Sequence, residues 1–165
     1  MGVSAAGLPP AHQKNKFAKR SIGITLDRCN LRRRKLRKRT IRLGTLIVQG
    51  IRNKTGEIIK CLEELKQDFT ILTKTKKKGN VVEILGPYLH FYSGVLKEKR
   101  AKRGVSILVK KKYKRYITTW EALNENMIKE HMNLFGKNLR ILGVYAISDD
   151  ENALVKEDFW GKLMK

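Results

Sequence analysis

Basic side chains are the most concentrated chemistry in this sequence. Thirteen of them fall between Lys14 and Arg42 against the single acid Asp27, giving that stretch a charge of +12. Its densest part is the run Arg32, Arg33, Arg34, Lys35, Leu36, Arg37, Lys38 and Arg39. Guanidinium and ammonium groups are the natural partners of phosphate, so such a run suits a phosphate-binding patch or a nuclear-localisation signal; a merely solvated tail is the bland alternative. A second basic cluster, Lys76, Lys77 and Lys78, lies in a later loop. The whole chain carries 37 Lys and Arg against 15 Asp and Glu, a formal charge of +22 on 165 residues. A compact body with that charge repels itself, and a polyanion relieves it. Nucleic acid, DNA or RNA without sequence preference, is therefore the expected partner, with an anionic membrane surface as the competitor. Phe17 is the one aromatic residue within the basic arm, too little to argue for single strands by stacking.

Other reactive side chains carry less. Cys29 and Cys61 form no Cys-x-x-Cys pair and read as free thiols. His12, His90 and His131 have no metal-ligand spacing and read as ordinary strand or loop residues, so no metal ligand set is expected. Asp149, Asp150 and Glu151 form an acidic cluster of the kind usually found in a solvated turn. At the N-terminus Gly2 follows Met1, but the myristoylation pattern needs Ser or Thr where Ala6 stands. No charged segment precedes an apolar one as in a secretory signal, and no apolar run approaches the ~20 residues needed to span a bilayer. The expectation is an intracellular protein with no membrane association, directed to the nucleus if the Arg32–Arg39 run is a localisation signal.

The elements that must position these groups follow from periodicity. Residues 1–39 have few large apolar side chains and no sustained period, so they are predicted to be a disordered basic arm. From Thr40 the alternation of Ile41, Leu43, Thr45 and Ile47 predicts a strand ending at Gly50. In TGEIIKCLEELKQ, Ile58, Ile59, Leu62 and Leu65 share one helical face, with Thr55 as predicted N-cap and Glu57 in the first turn. FTILT follows as a short buried strand, and a β-α-β unit of this length predicts parallel pairing with a right-handed crossover. Beyond the KTKKKGN loop, strands are predicted in VVEIL, YLHFYS, GVSILVK, KRYITTW, MIKEHMNLF and NLRILGVYAI, the last two joined as a hairpin at Gly136 and Lys137. An apolar segment from Ala153 to Met164 predicts a final helix. The sum is an α/β (α+β) layered sheet with flanking helices in residues 40–165.

Four segments of that region, in order and register, carry a resemblance: Leu43–Gly50 (LGTLIVQG), Asp68–Lys76 (DFTILTKTK), Arg103–Leu108 (RGVSIL) and Gly143–Ala146 (GVYA). Together they resemble the N-terminal half of an endonuclease/exonuclease/phosphatase domain of the DNase-I-like, non-LTR retrotransposon endonuclease–reverse transcriptase type. The resemblance implies half of a layered β-sandwich and, in the ancestral class, Mg²⁺-dependent phosphodiester hydrolysis. It also implies which positions to inspect. The family's Asn in Thr-Trp-Asn-Val is here Ile47, and its Glu in Leu-x-Glu-Thr is Lys74. The Arg of its Ser-Asp-Arg-Ile stretch corresponds to Asn126, and Tyr145 keeps a family Tyr that contacts phosphate. A hard cation needs oxygen ligands, which Ile47 lacks, and Lys74 substitutes a like charge. One unit-charge pair at about 4 Å is worth on the order of 4 kcal/mol at an effective dielectric of about 20, and a divalent ion roughly doubles it. The family's Gly-Asp-Phe-Asn loop and terminal Ser-Asp-His belong to the second half of the domain, which is expected to be missing from a chain that stops at Lys165.

The resemblance therefore implies a catalytically inactive, retrotransposon-derived fragment that binds nucleic acid and needs no cofactor. Half a sandwich would leave an apolar sheet face uncovered, an invitation to self-association. Two other readings stand beside it. One is a metal-dependent phosphodiesterase acting with a complementing second half; the other is a small basic RNA-binding protein of ribosomal type, against which the acidic helix at 55–68 counts.

Overall fold

The structure, a computed structural model, describes residues 19–26, 39–96, 98, 100 and 102–164. Two β-sheets pack face to face with helices outside, an α+β sandwich. The larger sheet has six strands in the order β1-β2-β3-β6-β5-β4, and the smaller has three, β7-β8-β9. In chain order the strands are β1 (Lys19–Leu26), β2 (Arg39–Ile47), β3 (Phe69–Thr73), β4 (Asn80–Leu85), β5 (Tyr88–Ser93), β6 (Val105–Lys110), β7 (Ile117–Asn124), β8 (Met127–Leu134) and β9 (Lys137–Val144). Helix α1 (Thr55–Glu64) joins β2 to β3, and α2 (Ala153–Leu163) follows β9.

Parallel pairing of β2 with β3 is as the sequence predicts, with Leu43 opposite Phe69 and Ile47 opposite Thr73. Every other described pairing is antiparallel apart from an isolated bridge between Lys78 and Val95. Alternation along the strands gives the six-stranded sheet two apolar faces. The inner one supplies Phe69, Phe91, Ile107 and Val109, which meet Ile128, Met132 and Leu134 of the smaller sheet. The outer one presents Leu46, Leu72, Tyr88 and Leu108, on which α1 docks through Ile58 and Leu62. Burying two such side chains contributes roughly 3–6 kcal/mol, more than a ten-residue helix of this composition could supply through its own propensity.

The smaller sheet lies beneath β3, β5 and β6, so the margins of the larger one overhang it. Ile22 on β1 is 63% exposed, and Ile84 on β4 is 66% exposed. Ile47 and Val82 of the same sheet are also exposed.

Four local expectations need correction. Residues 19–26 are not an unstructured arm: they form β1, paired antiparallel with β2 over its whole length, Lys19 opposite Leu46 and Leu26 opposite Arg39. Ile22, Ile24 and Leu26 alternate there with Ser21, Gly23 and Thr25, and an edge strand held by backbone bonds needs little burial. Thr55 does not cap α1. Lys54 occupies the cap position, and the Thr55 hydroxyl donates to Ile51 O at 3.2 Å. Lys111–Tyr116 is a 3₁₀ turn before β7 begins at Ile117. The i, i+3 spacing of Tyr113 and Tyr116 puts both rings on one side, where Tyr113 lies 4.9 Å from Phe69. The β8–β9 turn is Phe135-Gly136, one residue earlier than expected; both have positive φ, +55° and +80°, as a two-residue hairpin turn requires.

Candidate nucleic-acid interface

The C-terminal ends of β2 and β3 bring the positions singled out by the resemblance to one rim. Parallel register sets Ile47 opposite Thr73, and Lys74 follows Thr73 with a left-handed backbone, φ +56°. Its ammonium nitrogen lies 5.8 Å from the centre of the Tyr145 ring, a cation–π contact between the two sheets. Tyr145 is tied in turn to Asn126: the Tyr145 N–H donates to Asn126 O at 2.8 Å, and Asn126 Nδ2 donates to Tyr145 O at 2.9 Å. Asn126 is buried at the β7–β8 turn, whereas Ile47 is 42% exposed at the end of its strand. Lys74, Tyr145 and Asn126 are thus joined by direct contacts, with Ile47 beside them on the neighbouring strand.

This donor set does not fit a hard divalent cation. Ile47 offers no oxygen, Lys74 brings a positive charge, and Asn126 spends its amide nitrogen on Tyr145 O. Among the described residues no three His, Cys, Asp or Glu side chains converge. The acidic cluster after β9 forms a turn in which the Glu151 N–H donates to Ser148 O. Asp149 and Asp150 are exposed there, and the Ser148 side chain holds the Asp150 carboxyl below its usual range. Glu151 pairs with Arg103, which also reaches Glu125 at 3.7 Å.

The loop after β3 lies beside the loop after β2 because of the parallel pairing: Gly50 N–H donates to Lys74 O at 2.7 Å, and Ile51 N–H to Thr75 O at 3.1 Å. Between them is a groove of about 680 Å³, rimmed by Arg52, Lys54, Lys76, Lys77 and Lys78, with Ile51 and Leu85 also lining it. The Lys76–Lys78 cluster predicted to bind phosphate divides here. Lys76 and Lys78 are exposed. Lys77 is committed: its ammonium binds Glu83 Oε1 at 2.7 Å and lies 4.7 Å from the Tyr92 ring centre. Arg52 and Lys54 are missed by sequence reasoning, since they are ordinary basic residues until the parallel pairing sets them across from Lys76. Of the Arg32–Arg39 run, Arg32 to Lys38 lie outside the described residues, and Arg39 opens β2.

Two buried titratable groups also escape the sequence. His90 is fully buried on β5, its Nδ1 2.9 Å from Glu83 Oε1. Burial pushes its imidazole down to about 4, with Glu83 working the other way. Burial likewise opposes ionisation of Glu83, yet hydrogen bonds from Lys77 and His90 hold that carboxyl below its ordinary value. Glu130 on β8 is also fully buried; neither carboxyl oxygen has a hydrogen-bond partner, and burial pushes it up to about 8. The period-2 series Ile128, Glu130, Met132, Leu134 carried the signal, since three core residues share its face. His131 is a half-buried strand residue, and Cys61 a half-buried free thiol on α1; His12 and Cys29 lie outside the described residues.

No helix among the described residues is long and apolar enough to cross a membrane. No protein-family model matches the chain, and no curated protein matches it.

Proposed function

We propose that this chain is a retrotransposon-derived, nuclease-like fragment that binds nucleic acid through its phosphates and does not cleave it. The observation that carries the reading is the placement of the Lys74 ammonium against Tyr145, with Ile47 on the adjoining strand end. A cation at that rim repels a divalent metal and attracts a phosphate, so one substitution disfavours hydrolysis and favours binding. The net charge of +22 supports the same partner. Binding of this kind is sequence-blind, since phosphate contacts position a protein without reading bases. The Arg32–Arg39 run would serve both phosphate binding and nuclear entry. Exposed Ile22, Val82 and Ile84 at the sheet margins give self-association a route once salt screens the charge.

The test is one gel. Supercoiled plasmid is incubated with the full chain and Mg²⁺, then run with and without protein removal. Retarded plasmid that returns to supercoiled mobility supports the reading, and retardation should fade steeply as salt rises. Open-circle product that disappears on chelation would overturn inactivity, and mobility unchanged at low salt would overturn binding.

A further inference from the structure

The 3₁₀ turn Lys111–Tyr116 has a composition that packing explains only in part. Its sequence, KKYKRY, holds four cations and two tyrosines. Side chains three apart eclipse one another in a 3₁₀ turn, so the six residues form three ridges. Tyr113 and Tyr116 make the inward ridge: Tyr113 is buried 4.9 Å from Phe69, and Tyr116 meets Phe135 edge-on at 5.4 Å. Lys111 with Lys114, and Lys112 with Arg115, make the two outward ridges, and all four side chains are exposed. Asp68 pairs with Lys112 at 2.7 Å. Lys111, Lys114 and Arg115 have no carboxylate partner among the described residues. Like charges held this close repel one another, and an anion relieves the repulsion.

The backbone beneath these cations is pinned. Lys110 N–H donates to Asp68 O and Lys111 N–H to Pro87 O, both at 2.9 Å. Arg115 lies 4.9 Å from the Tyr116 ring centre and its Nη2 donates to the Tyr116 hydroxyl at 2.9 Å. A ligand therefore meets a mount that is already ordered, which lowers the entropy cost of binding. The basic surface continues onto β2, where Arg42 N–H donates to the second Asp68 oxygen at 3.1 Å and the Arg42 side chain is exposed. Antiparallel register sets Val109 opposite Phe69 and Val105 opposite Thr73, so the turn lies at the far end of β3 from Lys74, roughly 20 Å away. We propose that this turn is a second phosphate-binding surface, on which a nucleic-acid backbone docks with neighbouring phosphates on Lys111 and Lys114 and with Arg115 and Arg42 beside them. The proposal rests on the nucleic-acid reading above and adds a contact surface remote from the Lys74 rim. Three residues of a 3₁₀ turn rise about 6 Å, close to the step between neighbouring phosphates of one strand. A membrane surface suits the turn less well, because stable docking there combines charge with buried apolar area and both tyrosines of the turn face inward.

The experiment has two readouts on the full chain. Lysine acetylation, mapped by mass spectrometry, is compared for the protein alone, with a short DNA duplex and with phosphatidylserine vesicles. The duplex should lower acetylation of Lys111 and Lys114 severalfold and leave Lys60, exposed on α1, unchanged. Fluorescence anisotropy with the labelled duplex then compares Lys111→Gln/Lys114→Gln with Lys60→Gln/Arg140→Gln, which removes the same charge from exposed positions elsewhere. Lys112 and Arg115, which hold Asp68 and Tyr116, stay in place, and circular dichroism verifies the fold. Relative to that control the turn variant should bind about tenfold more weakly at moderate salt. Its slope of log K against log salt should be shallower by about 1.8, or about 0.9 per lost phosphate contact. Unprotected Lys111 and Lys114 on a chain that still binds the duplex, or equal slopes for the two variants, would overturn the proposal and leave the nucleic-acid reading standing. Protection by vesicles and not by duplex would make the occupant a lipid surface, and the proposal fails. If the parent binds no duplex at low salt, the nucleic-acid reading fails with it.

Discussion

Replacing Glu130 by leucine should stabilise the protein above neutral pH and remove the fall in stability that the parent shows there. The carboxyl is fully buried, both oxygens lack partners, and burial alone raises it from 4.5 to about 8. In the unfolded chain the group gives up its proton near 4.5, while the folded protein keeps it until about 8. Across that window the folded state binds more protons, so stability is full below the lower value and declines as pH rises. His90 works in the opposite sense. Its folded value near 4 is below the ordinary 6.5, so its contribution is present above 6.5 and lost as pH falls toward 4. The two slopes, each up to about 1.4 kcal/mol per pH unit, offset one another below 6.5. Between 6.5 and 8 Glu130 dominates among the described residues, and the parent should lose about 2 kcal/mol. With a urea m-value of about 2 kcal/mol/M, the denaturation midpoint should drop by about 1 M over that interval. Glu130→Leu, which places an apolar side chain among Ile128, Met132 and Leu134, should hold a flat midpoint from 6.5 to 8. Its midpoint should instead rise between 4.5 and 6.5, where His90 is no longer opposed. Urea melts followed by tryptophan fluorescence at half-unit pH steps provide the assay. A parent midpoint that is flat or rising from 6.5 to 8 would refute the reasoning, as would a variant less stable than the parent at pH 8.

Other perturbations probe separate parts of the molecule. A Cβ at Gly94 would meet Lys77 O at 2.3 Å, a backbone obstacle, so Gly94→Ala should cost about 1–3 kcal/mol and speed proteolysis after Lys76 or Lys78. Leu62→Ala removes half of the α1 contact and should cost about 2–5 kcal/mol in urea melts with little change in strand signal. Lys74→Glu with Ile47→Asn, on the same plasmid gel, should weaken retardation without producing nicks, because on the proposed reading two added ligands do not supply a general base. Raising salt to about 1 M shortens the screening length to about 3 Å, and sedimentation should then detect oligomers in the parent that Ile84→Lys suppresses.

Much of the scaffold was legible because its apolar periods are strong. The switch from alternation in Ile41–Ile47 to a helical face at Ile58 and Leu62, then to the FTILT strand, specified the parallel unit. Leu65 failed its predicted place and is 41% exposed, since the helix ends at Glu64 before that turn completes. β1 was obscured by its charges: Lys19 and Arg20 dominate the composition, while the pairing that holds the strand belongs to the backbone. The rim of Lys74, Tyr145 and Asn126 was legible only as separate positions, their contact being a property of two sheets meeting. Arg52 and Lys76 lie far apart in sequence, and only parallel register makes them neighbours. Glu83 and His90 face one another through the β4–β5 pairing, a register set by the two residues Gly86 and Pro87 between the strands.

Leu26 and Arg39 are partners where β1 meets β2, so those strand ends lie side by side at one margin of the larger sheet. That margin lies at one end of β2 and the groove follows the other, nine residues and roughly 30 Å away. Any ligand that met both ends of β2 at once would have to be at least a strand's length long.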